Sequence, residues 1–181
     1  GGEPVIVKTG YIETRGKLER FIAEEKAAGR LLDAALYFRD LKNGPIFGVN
    51  ETTGFAPASL LKLPLALVYL RQTEREPDLL DRKLQFDKSE EGYPQYFAPS
   101  ERILPQMPYT IEELLSRMLR FSDNNAYGLL EQYLERLGKK EVERQTYLEL
   151  GFLDPATPDD ETMNVRQYAA IFRALHNDFQ L

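Results

Sequence analysis

The first third of the chain pairs a helical pattern of hydrophobic residues with a hairpin pattern. Apolar residues recur at roughly helical spacing among Lys, Arg and Glu, which predicts an amphipathic helix over about residues 12–28 that ends near Gly29. Residues 34–41 are rich in Ala, Leu, Tyr and Phe, and the turn signal Asn43-Gly44 separates them from the apolar residues 46–49. A helix followed by a hairpin predicts an α+β domain whose sheet begins with this pair of strands.

The remaining pattern is mostly helical. Leu60–Gln72 is apolar on most faces, which predicts a helix buried at the centre of the molecule. Thr110-Ile111-Glu112-Glu113 is a capping-box pattern that begins a helix ending near Phe121. Further helices are predicted over residues 125–137, 140–149 and 164–175, with Gly138 and Gly151 closing the first two and a loop over residues 154–161.

Composition narrows the classes of function. The 181 residues predict one domain over residues 1–181, and 43% apolar and 29% charged residues are typical of a globular chain. A net charge of −6 argues against a nucleic-acid partner. No apolar run approaches the roughly 18 residues that span a bilayer, and no segment has the pattern of a targeting signal.

The counts of cysteine and histidine exclude several chemistries. Without cysteine the chain has no disulfide, thiolate metal site or cysteine nucleophile. The single histidine, His176, leaves no histidine-based metal site, and we expect no metal and no cofactor. His176 is predicted at the C-terminal end of the last helix, where a cation is favoured, so a Ser-His-Asp triad is not expected.

Two short motifs carry candidate chemistry. In Ser59-Leu60-Leu61-Lys62 the lysine follows the serine by three residues on a helix, so both project from one face and the lysine can take the hydroxyl proton. Burial among leucines would lower the pKa of Lys62 and suit it as a base. Ser122-Asp123-Asn124 lies at the head of a later helix. Each motif has a second interpretation, since Ser, Asp and Asn are also the residues that cap helices.

With these motifs the chain resembles the class A serine β-lactamases and the penicillin-binding proteins, which carry S-x-x-K, S-D-N and K-T-G. The resemblance extends over Phe55–Pro64 and over Phe121–Ala126 with the following Leu129-Leu130 pair. It covers nearly all of residues 11–181 and corresponds to the N-terminal two-thirds of the family's catalytic domain. The fold it implies is α+β and β-lactamase/transpeptidase-like, with a helical subdomain beside an antiparallel sheet whose C-terminal strands are missing from this chain.

The resemblance also implies roles for individual residues. Ser59 would be the nucleophile, with its N–H forming half of an oxyanion hole, and Lys62 would be the base. Ser122 would shuttle the proton to the leaving group. Asn124 would bind Lys62 and the substrate amide, and Asp123 would brace the loop. Among Tyr93, Tyr96 and Phe97, which lie between the motifs, Tyr96 is the candidate for the substrate cleft.

The chain also departs from the family pattern. Residues 154–161 are a short acidic stretch without the E-x-x-L-N pattern that supplies the deacylating base, although Asp159, Asp160 or Glu161 could approach the site. Slow deacylation is therefore expected. The K-T-G motif would follow the last helix. Lys8-Thr9-Gly10 stands at the wrong end of the chain, so we interpret it as a coincidence, with a rearranged chain that uses it as the alternative. We expect a fragment that a further C-terminal segment would complete.

Three classes of function stay open. The first is a penicillin-recognising serine acyl-transfer enzyme that acts on β-lactams or D-alanyl peptides. The second is a non-catalytic β-lactamase-like binding or scaffold module of the cell envelope. The third is an unrelated α+β domain in which both motifs cap helices. The family resemblance implies an extracytoplasmic location for the first two.

Overall fold

The computed structural model describes residues 9–42, 45–87, 95–153 and 162–179. The chain divides into two compact units, one formed by residues 1–56 with 150–181 and the other by residues 57–149. The organisation of residues 1–181 as a single domain stays a prediction.

The described residues of the first unit form two helices and a strand pair. Helix α1 spans Thr9–Ala27, strands β1 and β2 span Leu36–Arg39 and Ile46–Val49, and helix α6 spans Val165–Phe179. The strands are antiparallel, with Leu36 opposite Val49. Phe38 and Phe47 stack with ring centroids 5.2 Å apart on one face of this pair, where Tyr11 of α1 also packs. A cross-strand aromatic pair of this kind stabilises a hairpin that would be marginal by itself.

The second unit is mainly helical. A 3-10 turn over Ala58–Leu61 leads into α2, Lys62–Thr73, and a second 3-10 turn spans Pro77–Leu79. Helices α3, α4 and α5 span Ile111–Phe121, Asn124–Arg136 and Lys140–Glu149, and a short antiparallel pair, β3 with β4, joins Lys83–Gln85 to Pro108–Thr110.

The core of the second unit forms around α2, as its apolar sequence predicts. Leu65, Val68 and Tyr69 are fully buried. The Tyr69 hydroxyl donates a 2.6 Å hydrogen bond to the Leu130 carbonyl oxygen of α4, so this buried hydroxyl has a partner. Burial raises the pKa of the Tyr69 phenol well above its usual range and keeps it neutral. This packing fixes the position of the N-terminus of α2 relative to α3 and α4.

Several sequence expectations agree with the structure and others differ in detail. The capping box forms, because the Thr110 side chain accepts a hydrogen bond from the Glu113 N–H while the Glu113 carboxylate accepts one from the Thr110 N–H. The α+β class is confirmed. The α-helix predicted from Leu60 begins at Lys62, the first helix begins earlier than residue 12, and the last extends beyond residue 175. The β3–β4 pair was not predicted, because three-residue strands are too short for an alternating pattern to be detected.

Some of the sequence predictions concern residues that the structure does not describe. Four of the predicted features lie outside the described residues: the Asn43-Gly44 turn, Tyr93, the acidic residues 154–161 and Lys8. Thr9 and Gly10 begin helix α1.

Candidate active site

Ser59 lies in the 3-10 turn that precedes α2. The N-cap residue of that turn is Pro57, and neither Pro57 nor Leu61, at the start of α2, makes a side-chain capping bond. The interpretation of Ser59 as a capping residue is therefore wrong. Ala58, just before it, has a φ of 46°, a left-handed conformation that is uncommon for a residue with a Cβ. The turn leaves Ser59 exposed, with its hydroxyl beside that of Ser122, where the two oxygens are 3.1 Å apart.

The Ser122-Asp123-Asn124 motif forms the corner between α3 and α4. Ser122 ends α3 in a left-handed conformation, with φ 56° and ψ 35°. Asp123 is 1% exposed and caps α4, because its Oδ1 accepts hydrogen bonds from the N–H groups of Asn125 and Ala126. Its Oδ2 accepts a 2.7 Å hydrogen bond from the Ile103 N–H. Asp123 thus ties the corner both to the helix and to a distant loop.

Lys62 joins the two motifs. Its ammonium nitrogen is 2.7 Å from both the hydroxyl and the carbonyl oxygen of Ser122, 2.6 Å from Asn124 Oδ1 and 3.3 Å from Ser59 Oγ. A charged lysine has three N–H donors, which match the three short contacts. The contact to Ser59 is the longest of the four. The residue is only 5% exposed.

Burial tunes Lys62 toward its neutral form. Removal from water lowers the pKa of Lys62 below its ordinary value, and the negative charge of Asp123 opposes that shift. A neutral amine has a lone pair that can accept a proton. The arrangement therefore combines a serine hydroxyl with a nitrogen base of reduced pKa, and a second hydroxyl lies between them.

Ser59, Ser122 and Asn124 line one cavity of about 620 Å³. Tyr96 and Phe97 also line it and are 90% and 85% exposed, so their rings present apolar surface to whatever enters. The structure therefore places Tyr96 at the cavity that contains the motif serines, and its role in binding a substrate stays a prediction.

Gln95 is a site residue that the sequence analysis missed. Its side-chain nitrogen donates to the Ser122 carbonyl oxygen at 3.2 Å, and its side-chain oxygen accepts from the Asn124 N–H at 2.9 Å. A glutamine in a loop has no periodicity and belongs to neither motif. Its position directly before Tyr96, the aromatic residue predicted to line the cleft, was the one available signal.

Other candidate chemistries find little support in the described part of the chain. There, no three His, Cys, Asp or Glu side chains lie close enough together to hold a metal ion. His176 lies in the last turn of α6, in the other unit. No helix of the described residues has both the length and the hydrophobicity to cross a membrane.

The sequence of the chain also matches a family model. The model of the β-lactamase enzyme family matches residues 17–179, which is most of the chain. The chain belongs to the β-lactamase enzyme family. No curated protein sequence matches it.

Solved structures of this family share the fold. A variant of the last common ancestor of Gram-negative bacteria class A β-lactamase is 25% identical with a TM-score of 0.65, covering 88% of this chain and 62% of its own. A class A β-lactamase from Mycobacterium abscessus is 25% identical with a TM-score of 0.59, and the match covers 78% of this chain and 56% of that one. The penicillin-binding protein PBP-A is 22% identical with a TM-score of 0.64, covering 89% and 62%, and shows the fold alone.

These matches confirm the β-lactamase/transpeptidase-like fold and a family of β-lactamases and penicillin-binding proteins. The chain spans 56% to 62% of the length of these three structures. The sheet strands of the described residues form only two small antiparallel pairs.

Proposed function

We propose that this chain carries the nucleophile half of a penicillin-recognising serine acyl-transfer site, of the β-lactamase or D-alanyl-D-alanine peptidase type. One observation supports the proposal above all: a buried lysine of lowered pKa that contacts two serine hydroxyls, one from the turn before α2 and one from the corner between α3 and α4. A buried amine is costly for a fold, and perturbed groups of this kind cluster at functional sites. One of the solved neighbours is a mutant of PBP-A described as an acyl-enzyme complex with penicillin G.

In the proposed reaction Ser59 Oγ attacks the carbonyl carbon of a β-lactam or D-alanyl amide, and its proton passes to neutral Lys62. Collapse of the tetrahedral intermediate breaks the C–N bond, and the leaving nitrogen receives a proton through Ser122. The acyl group stays on Ser59 until water removes it. The Ser59 N–H, at the start of a helical segment, provides one donor for the developing oxyanion.

Two proton paths from Ser59 are open in this geometry. The direct path to Lys62 spans 3.3 Å, whereas a relay through the Ser122 hydroxyl uses steps of 3.1 Å and 2.7 Å. The relay has the shorter steps, so Ser122 serves the first proton transfer as well as the second. Asn124 holds Lys62 through its side-chain oxygen, which accepts a 2.6 Å hydrogen bond from the ammonium group.

The proposal includes slow deacylation, because residues 154–161 lack the E-x-x-L-N pattern that supplies a base for the attacking water. It also includes an extracytoplasmic location, a β-lactam or D-alanyl peptide as the substrate and a further C-terminal segment that completes the cleft.

Intact mass spectrometry after incubation with benzylpenicillin tests the proposal. We expect an adduct of one penicillin that persists for many minutes and is absent in Ser59→Ala. Ser100→Ala is the matched control, because Ser100 lines the same cavity but is not among the contacts of Lys62, and it should keep the adduct. A chain that never forms the adduct, even with its C-terminal continuation, would favour the alternative, a non-catalytic binding or scaffold module of the cell envelope.

A further inference from the structure

We propose that Gln95 is a positioning residue that holds Ser122 and Asn124 in their reactive orientation. The inference rests on the proposed function, since it concerns the same site. It starts from the bridge that the Gln95 amide makes across the corner between α3 and α4, where it bonds the peptide groups on both sides of Asp123.

The bridge needs both halves of an amide. Gln95 gives a donor to the Ser122 carbonyl oxygen and an acceptor to the Asn124 N–H. Only Asn and Gln side chains present a donor and an acceptor together in this fork, and the shorter Asn would withdraw the fork by one methylene. A carboxylate would satisfy the Asn124 N–H but would face the Ser122 carbonyl with a second acceptor.

The bridge also completes the cap of α4. The first N–H groups of a helix have no partner inside the helix. The Asp123 side chain accepts hydrogen bonds from the N–H groups of Asn125 and Ala126. The remaining N–H, that of Asn124, donates to the side-chain oxygen of Gln95, which lies 29 residues earlier in the chain. The cap is therefore assembled from two segments, one of which carries the cavity residues Tyr96 and Phe97.

Gln95 and Lys62 both donate a hydrogen bond to the same atom. The Ser122 carbonyl oxygen accepts from both Lys62 Nζ, at 2.7 Å, and Gln95 Nε2, at 3.2 Å. Ser122 stands in a left-handed conformation that a residue with a Cβ adopts at some cost, so contacts at its carbonyl oxygen help to hold it. Fixing that carbonyl oxygen fixes the direction of the Ser122 hydroxyl and, through the Asn124 N–H, the start of α4. Gln95 thereby orients two of the groups that Lys62 contacts.

Two variants separate this role from simple support of the fold. Gln95→Leu removes both hydrogen bonds at nearly constant size, and we expect the rate of acylation by benzylpenicillin to fall about 5- to 30-fold, the value of one to two hydrogen bonds. Gln95→Glu keeps the bond to Asn124 but adds a negative charge near Lys62. We expect a similar loss of rate together with a move of the acid limb of the pH–acylation profile to higher pH, because the charge stabilises protonated Lys62.

The control is Gln145→Leu, which removes another exposed glutamine bond in the same unit, to Glu149, and should leave the rate unchanged. Gln95 is exposed, so both variants should lose little stability and stay fully folded under the conditions of the assay, which urea unfolding checks. An acylation rate for Gln95→Leu within twofold of the unmodified chain would overturn the inference. So would an acid limb that stays in place in Gln95→Glu.

A measurement without any substrate separates this inference from the proposed function. Amide hydrogen exchange at Asn124 should accelerate about 5-fold in Gln95→Leu, the value of one lost hydrogen bond, while exchange at Ile103, whose N–H is held by Asp123, stays slow. Exchange at Asn124 that is the same with and without Gln95 would show that the bridge does not form. A failure of the Ser59 adduct alone would instead overturn the acyl-transfer proposal and leave this result standing.

Discussion

Replacing Asp123 by alanine should cost the chain a large part of its stability. The change removes the cap of α4, which is worth about 1 kcal/mol, with a range of about 0.5–2 kcal/mol. It also leaves the N–H of Ile103, a residue that is 1% exposed, without its acceptor, which costs about 1–3 kcal/mol more. The expected loss is therefore about 1.5–5 kcal/mol, against a total stability of about 5–15 kcal/mol for a typical domain.

Asparagine at this position should cost an intermediate amount. An amide has one oxygen, so Asp123→Asn can accept either from Ile103 or from the first turn of α4, and it presents N–H₂ to the other. We expect about half of the loss seen with alanine, measured by urea unfolding followed by far-ultraviolet circular dichroism with matched m-values.

The control for both variants is Asp40→Ala, because Asp40 accepts an exposed hydrogen bond from the Lys42 N–H and should cost less than about 0.5 kcal/mol. The reasoning would be refuted by a loss below about 1 kcal/mol for Asp123→Ala. It would equally be refuted by an Asp123→Asn variant as stable as the unmodified chain.

Three further outcomes follow from the described contacts. The pKa of Lys62 is lower in the folded chain than the ordinary 10.5, so between these two pKa values the unfolded chain binds a proton that the folded chain does not. The free energy of unfolding, compared with that of Lys62→Met, should therefore rise with pH across that interval and level off above it. Urea unfolding at a series of pH values measures this. Thr110→Ala should lower the free energy of unfolding by about 1 kcal/mol, because it removes the capping box of α3, and Thr52→Ala is a control of the same chemistry outside a cap. Tyr69→Phe should cost about 1 kcal/mol by thermal or urea unfolding, since it loses one buried hydrogen bond while the ring still fills its place, and a loss above about 3 kcal/mol would contradict that account.

Local patterns predicted the local parts of the fold. The capping box at Thr110 depends on residues three apart, and the burial of α2 depends on apolar residues along a single helix, so both can be recognised in a short window of sequence. The two motifs were recognised in the same way, and the structure brings Ser59, Lys62, Ser122 and Asn124 together. Their catalytic roles stay a prediction.

Contacts between distant segments could not be predicted. The bond from Asp123 to Ile103 joins residues 20 apart, and the Gln95 bridge joins residues 27 and 29 apart, with no pattern in either segment. The left-handed conformation of Ser122 was also unforeseen, because Gly and Asn are the residues that usually take that position at a helix end. The interpretation of Ser59 as an N-cap failed for a related reason. A tight 3-10 turn after Pro57 moved the start of α2 from Leu60 to Lys62.

At Ser122 the backbone conformation favours glycine, whereas the proposed chemistry needs the serine hydroxyl. Glycine adopts this conformation without steric cost, so Ser122→Gly should relieve about 1 kcal/mol of backbone strain while it removes the hydroxyl between Ser59 and Lys62. The relieved strain offsets part of the cost of losing the bond from Lys62 to that hydroxyl, so selection for heat resistance alone would do little to retain the proposed relay. Under the proposed mechanism, directed evolution of this chain needs an activity screen at every round to keep the serine at this corner.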